Sequence, residues 1–277
     1  MSGAGSPTAY TERDMRHPHH DAVAASIRAA YAQPQPAMGW AAEQRRFGIY
    51  RRNTKAATYP DVIVRHVAPG DVEEFLKDVR SYFGSGPRPA RIMIDDRELD
   101  STLGTVLEAA GLSFDERTSF LAHVGDVPEP PPVAGIAVEP VDDSGLAEYE
   151  DTRARGFADT DDPVSPEDLG WRIDLHRAEM AGGANYWLAR IAEEPAAALS
   201  WYDGDDRLVF SLATRLPFRK RGIASHLLCR LLGDSEREGT RSVVINADKA
   251  GAPIELYRRL GFTDEVYWHA TYELELS

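Results

Sequence analysis

The passage from Leu208 to Ala224 constrains this chain most. An apolar run, Leu208-Val209-Phe210-Ser211-Leu212-Ala213-Thr214, reads as a strand, and an amphipathic pattern from Ile223 reads as a helix. The turn between them, Arg219-Lys220-Arg221-Gly222-Ile223-Ala224, presents the first amides of that helix. Those amides lack intrahelical partners and sit at the positive end of the dipole, so the turn is an anion site. Gly222 lets a ligand approach the backbone, and Ala224 keeps the first helical turn clear. Arg215, Arg219, Lys220 and Arg221 are expected to add charge suited to a polyphosphate. The chemistry read from the turn is recognition of a pyrophosphate-bearing cofactor.

The spacing is not that of the two best-known phosphate loops. Gly-x-x-x-x-Gly-Lys-Ser/Thr is absent, and no Gly-x-Gly-x-x-Gly follows a strand, so neither an ATPase nor a dinucleotide fold is indicated. Arg/Gln-x-x-Gly-x-Gly/Ala after a strand instead resembles the acetyl-CoA signature of the GNAT N-acetyltransferase superfamily. Further on, Ile254-Glu255-Leu256-Tyr257-Arg258-Arg259-Leu260-Gly261-Phe262 resembles that family's Leu-Tyr-x-x-x-Gly-Phe helix ending. It follows a strand-like Ser242-Val243-Val244-Ile245-Asn246. The resemblance covers residues 136–277.

The resemblance implies an α/β (mixed α+β) fold: a mostly antiparallel mixed sheet flanked by helices. It implies acetyl-CoA as co-substrate, with the amides of Arg221, Gly222, Ile223 and Ala224 holding the diphosphate and Arg219 and Lys220 beside them. Leu212, Ala213 and Thr214 would lend backbone to the pantetheine arm. Tyr257 matches the tyrosine that protonates the coenzyme A thiolate; an interior tyrosine is the plainer alternative. Two departures stand out. Pro217 lies two residues before Arg219 where the family usually has three, and Ala250 and Gly251 stand where an asparagine is common, with Asn246 as partial substitute. The strand Leu208–Thr214 carries no acid, so no general base is read.

Between Glu139 and Asp168 eleven acids face two arginines. Asp159, Asp161 and Asp162 fall in the loop that lines the acceptor groove in the family. An acidic wall attracts a cationic amine, such as a polyamine, an aminoglycoside or a basic peptide; a solvated acidic face explains it equally. The expected function is acetyl transfer to a small primary amine by direct attack in a ternary complex. The rivals are a protein or peptide N-acetyltransferase and a catalytically silent acetyl-CoA-binding sensor.

A formal net charge of −14 argues against nucleic-acid and anionic-membrane partners. The single cysteine, Cys229, excludes an internal disulfide framework and fits a reducing cytoplasm; a packing role is expected, with a reactive thiol as the alternative. No apolar run approaches the roughly 20 residues that span a bilayer. Met1 to Gly5 lacks a signal peptide's basic and apolar regions. The expected location is cytoplasmic. His17, His19 and His20 read as part of a solvated tail, without acid or cysteine at ligand spacing, so no metal is expected. Oligomeric state is not readable.

Four segments are expected: a flexible stretch over 1–39, a small α/β domain over 40–126, a Pro-rich linker over 127–135, and the acetyltransferase-like domain over 136–277. Within 40–126, strands are expected over 61–67, 91–95 and 119–124, and helices over 71–82 and 99–110. The second part reads strand, two helices, three antiparallel strands, helix, strand, helix, strand. Arg91 to Val124 shares the strand, helix, Gly-apolar, strand plan of Arg241 to Leu276, placing Gly111 on Gly261. Residues 40–126 thus read as a reduced copy of the same fold, with an unrelated small domain as the alternative.

Overall fold

Burial alternates residue by residue along Asp206–Thr214, with Arg207, Val209, Ser211 and Ala213 turned inward, as in a strand flanked by helices. That strand belongs to a sheet shared by the whole chain. The computed structural model describes residues 18–32, 40–54, 60–86, 88–248, 251 and 253–276. In chain order the first part comprises α1 (Pro18–Ala32), β1 (Trp40–Gln44), β2 (Gly48–Asn53), β3 (Asp61–Val64), α2 (Val72–Phe83), β4 (Ala90–Ile94), α3 (Arg97–Ala109) and β5 (Ser113–His123). The second comprises β6 (Ile136–Pro140), α4 (Leu146–Phe157), α5 (Pro166–Ala181), β7 (Ala184–Ile191), β8 (Glu194–Tyr202) and β9 (Asp206–Thr214). It continues through α6 (Ile223–Glu238), β10 (Ser242–Asp248), α7 (Pro253–Arg259) and β11 (Phe262–Leu274).

One sheet of 11 strands runs β1-β2-β3-β4-β11-β5-β10-β9-β8-β7-β6. Two pairs are parallel, β3 with β4 and β9 with β10; the other pairs are antiparallel. Each part ends in a strand that crosses to the other: β5 pairs with β10, and β11 pairs with β4. The two also pair with each other along most of their length. One core lies under α6 and α7, with Leu227, Leu228, Leu231 and Leu232 at its centre; buried Cys229 belongs to the same helix. A second lies under α2 and α3 around Phe75, Ile92, Leu103 and Leu107.

The expectation of a flexible stretch over 1–39 is corrected over 18–32. Val23, Ala24 and Ile27 of α1 bury against Phe120, Val244, Val266 and Tyr267 where the two parts join. Full burial of Val23 and Ile27 is worth roughly 1.5–3 kcal/mol each, enough to hold a short helix that composition alone would leave unfolded. His17 lies outside the described residues. Strands β1 and β2 were not anticipated, because Glu43, Gln44, Arg51, Arg52 and Asn53 obscure their alternation. The Pro-rich stretch forms neither helix nor strand over 127–133, and its Val127 and Val133 pack on the core under α6 and α7.

Candidate active site

Strands β9 and β10 run side by side only at their starts, where Ser242–Ile245 pair with Asp206–Val209. The reason lies on the other edge of β9. Ser200 pairs with Ser211 but Trp201 pairs with Val209, leaving Phe210 as an extra residue. Such a bulge bends the strand and strengthens its twist, turning the end of β9 away from β10. Leu212, Ala213 and Thr214 keep β8 on one edge, opposite Leu199, Ala198 and Ala197. Among the described residues no strand occupies their other edge, so its polar groups, apart from the Thr214 carbonyl that accepts from Arg219, are open to an extended ligand. Asn246 is the first residue of β10 beyond the pairing.

The strand then leads through a short 3-10 turn at Leu216–Phe218 into the turn before α6. Lys220 has φ 60° and Gly222 φ 83°, so left-handed residues flank Arg221. Alternating handedness of this kind gathers successive N–H groups into an anion-binding hollow. No side chain caps α6, and its first internal bond runs from the His226 amide to the Gly222 carbonyl at 2.9 Å. Among the described residues the amides of Arg221, Gly222, Ile223 and Ala224 have no acceptor. These donors fit a diphosphate. The linker crosses the same turn: Pro131 and Val133 side-chain carbons lie 3.9 and 3.7 Å from where a Cβ on Gly222 would stand. His226 Nδ1 donates to the Pro131 carbonyl at 3.0 Å.

The expected cluster of four cations is corrected. Arg215 is buried and grips Asp161 through two bonds of 2.9 and 2.7 Å, with a third to the Pro195 carbonyl at 2.6 Å. Arg219 turns to the carbonyls of Gly156, Ala158 and Thr214 at 2.8, 3.1 and 3.1 Å, which ties the end of α4 to β9. Arg221 lies over the Phe218 ring, and Lys220 is exposed. Lys220 and Arg221 therefore carry the charge beside the hollow.

Tyr257 is buried in α7 with its ring against Phe262, and among the described residues its hydroxyl has no hydrogen-bond partner. Burial pushes its pKa up to about 12.

The acid loop divides. Asp161 is held down to about 2 by Arg215 and after it Arg155, so it is not a free acid. Asp159 and Asp162 are exposed. Beside the loop a cavity of about 390 Å³ is lined by Arg153, Arg155, Phe157, Asp162, Val164 and Arg172, among others. Behind it lies a buried network that hydropathy and motif gave no sign of. Glu150 accepts from Arg153 at 2.5 and 2.9 Å, from Arg172 at 2.9 Å and from His176 Nε2 at 2.7 Å. His176 Nδ1 meets Glu179 at 2.8 Å, and Tyr186 donates to Glu179 at 2.7 Å. Burial alone would raise Glu150, but His176 and Arg153 override it and hold it at about 2. Burial opposes the charge of His176, yet Glu150 and Glu179 raise its pKa. The i,i+3 pairs Glu150/Arg153 and His176/Glu179 on two expected helices were the available signal. Among the described residues no three His, Cys, Asp or Glu side chains are placed to hold a metal, and no helix is long and apolar enough to cross a membrane.

Residues 146–262 match the profile of the acetyltransferase (GNAT) family. A GCN5-related N-acetyltransferase from Kribbella flavida superposes with a TM-score of 0.63 at 17% identity, covering 91% of this chain and 95% of its own. A GCN5-related N-acetyltransferase from Sphaerobacter thermophilus gives 0.58 at 19%, covering 86% and 76%. A tandem GNAT protein from the clavulanic acid biosynthesis pathway gives 0.55 at 11%, covering 83% and 79%. No curated protein matches the sequence. At these identities the likeness establishes the fold.

Proposed function

We propose, on the premise that residues 146–262 form an acetyltransferase domain of the GNAT family, that this protein moves an acetyl group from acetyl-CoA to a primary amine. The observation that carries the reading is the open edge of Leu212–Thr214 leading into a hollow of unpartnered amides at Arg221–Ala224. Acetyl-CoA supplies the activated thioester. The amides of Arg221, Gly222, Ile223 and Ala224, with Lys220 and Arg221, bind its diphosphate, as the N-terminus of a helix binds an anion. The free edge of Leu212, Ala213 and Thr214 holds its amide-bearing arm as an added strand would be held. Asn246 borders the gap between the strands and offers a further hydrogen bond. Tyr257, kept neutral by burial, donates a proton to the departing sulfur.

The acceptor reaches the carbonyl carbon directly in a ternary complex, from the side of the acid loop. Asp159 and Asp162 draw a cationic amine toward it, whereas the engaged carboxylate of Asp161 holds the loop in place. No acid stands on β9, so the amine loses its proton to water or to a carboxylate off that strand. The test is release of free thiol from acetyl-CoA against a panel of amines, amino acids, aminoglycosides and peptides. Turnover with an amine supports the reading. Binding of acetyl-CoA without turnover on any acceptor favours a silent binder, and absence of binding rejects the cofactor site.

A further inference from the structure

We infer that the acceptor bears a carboxylate as well as its amine, and that Arg172, with Arg153, binds that carboxylate in the cavity between α4 and α5. The inference rests on the acetyl-transfer reading for its amine, but the carboxylate site stands on charges and donors of its own. Three guanidiniums and one exposed carboxylate, Asp162, line the cavity. They are not equivalent. Arg155 is fully engaged, by Asp161 at 3.3 and 2.7 Å and by Asp151 at 3.1 Å. Arg153 grips Glu150 through Nε and one terminal nitrogen. Among the described residues, Arg172 reaches Glu150 through Nη1 alone, and its Nε is buried without an acceptor.

Glu150 cannot satisfy that group. Its Oε1 already accepts from both arginines, and its Oε2 from Arg153 and His176. Among the described residues, Arg153, Arg172 and His176 contact two carboxylates behind the cavity, Glu150 and Glu179, and Asp162 lines the cavity without an ion pair to Arg172. The Nε–Nη2 edge of a guanidinium matches the two oxygens of a carboxylate, the fork-to-fork pairing that favours arginine over lysine. The Trp171 ring, 5.2 Å from the Arg172 guanidinium carbon, fixes the plane of the fork.

Location completes the argument. Gly156 lies between the cavity residues Arg155 and Phe157 and touches the free part of β9, where a Cβ on it would stand 2.7 Å from Ala213 Cβ. The cavity and the free part of β9 therefore share the end of α4. Phe157 stands at its lip 59% exposed, an apolar surface for the carbon chain between amine and carboxylate. An amino acid or the end of a short peptide has this chemistry; a polyamine or an aminoglycoside does not.

The experiment is thiol release by the full chain with amino acids and dipeptides, each beside its C-terminal amide, and with spermidine and kanamycin as cationic controls. The acids should exceed their amides in kcat/KM by about tenfold or more, since a buried donor left unpaired rejects the analogue. Arg172→Met and Arg172→Lys should both erase that ratio, the second while keeping the charge and limiting damage to the fold. Amides matching their acids, or a ratio that survives both variants, overturns the carboxylate site and leaves acetyl transfer standing. If no acceptor turns over, Trp171 fluorescence, assigned with Trp171→Phe, is titrated with the same acids and amides. A saturable change with acids alone, lost in both Arg172 variants, supports the site; no such change overturns it. Failure of acetyl-CoA to bind in calorimetry, with that change present, overturns the transfer reading instead.

Discussion

A phenol that protonates a departing thiolate must keep its proton until the sulfur needs it. In the proposed role Tyr257 would do so, because burial lifts its pKa to about 12 while no neighbour among the described residues accepts from its hydroxyl. Replacing it by Phe should lower kcat by about 10²-fold, the usual worth of a positioned acid, with KM for acetyl-CoA nearly unchanged. A variant with wild-type kcat would make Tyr257 an interior packing residue. His176 sets a different test. Its folded pKa is raised, so the stability it contributes is complete below its ordinary value of about 6.5 and is lost as pH rises through the raised one. Melting temperature should therefore decline above pH 6.5, and His176→Gln should lack that slope. A wild-type curve flat from pH 6.5 to 9 would mean the imidazole is not held charged. Glu150 acts on the opposite side: held at about 2, it adds stability above the ordinary carboxylate range that is lost as pH falls toward 2. At this scale Gly222 and Tyr257 were legible because a backbone turn and a helix ending leave fixed spacings. Glu150, His176 and Glu179 were not, since pairing across α4 and α5 depends on how two helices face one another.

Elements place the site through one close contact. Helix α4 ends against β9 at Gly156, where a Cβ would stand 3.0 Å from the Thr214 amide nitrogen as well as close to Ala213. The Arg219 guanidinium fastens the same helix end from the phosphate turn. Gly156→Val should push α4 off the strand, costing about 1–3 kcal/mol as overpacking does. Because the displaced edge is the one that would hold the cofactor's arm, KM for acetyl-CoA should rise as well. A lower denaturation midpoint with unchanged KM would separate the helix from the cofactor edge. The strand, turn and helix around Gly222 could be anticipated from apolar period and breakers. The Phe210 bulge could not, because a bulge is a mismatch between two strands and neither one shows it alone. Nor could α1, whose three buried residues gain their meaning from Phe120 and Tyr267, far along the chain.

At the scale of the molecule, the run β9-α6-β10-α7-β11 repeats β3-α2-β4-α3-β5, with one parallel pair in each. Gly111 and Gly261, aligned from sequence alone, occupy equivalent bends with φ 93° and 90°. We read the first part as a reduced copy of the second that has kept the sheet and exchanged its last strand. The exchange itself was invisible in the sequence, since β5 and β11 could pair within their own parts equally well. A repeat raises the question of a second cofactor site, and two features of the first part argue against it. Where α6 opens on Lys220, Arg221 and Gly222, α2 opens on Asp71, Glu73 and Glu74, and acids there suit the helix dipole but repel a diphosphate. Past the parallel pairing of β3 and β4, a cavity of about 590 Å³ is crossed by Arg65 and Arg28, which meet Asp95 at 2.9 and 3.1 Å, with Tyr267 bonded to the same carboxylate at 3.2 Å. Calorimetric titration should accordingly give one acetyl-CoA per chain, abolished by a bulky residue at Gly222 and untouched by Asp95→Asn. Two equivalents, or a single one that survives at Gly222→Val and disappears with Asp95→Asn, would move the cofactor to the first part and reverse the roles assigned to the two copies.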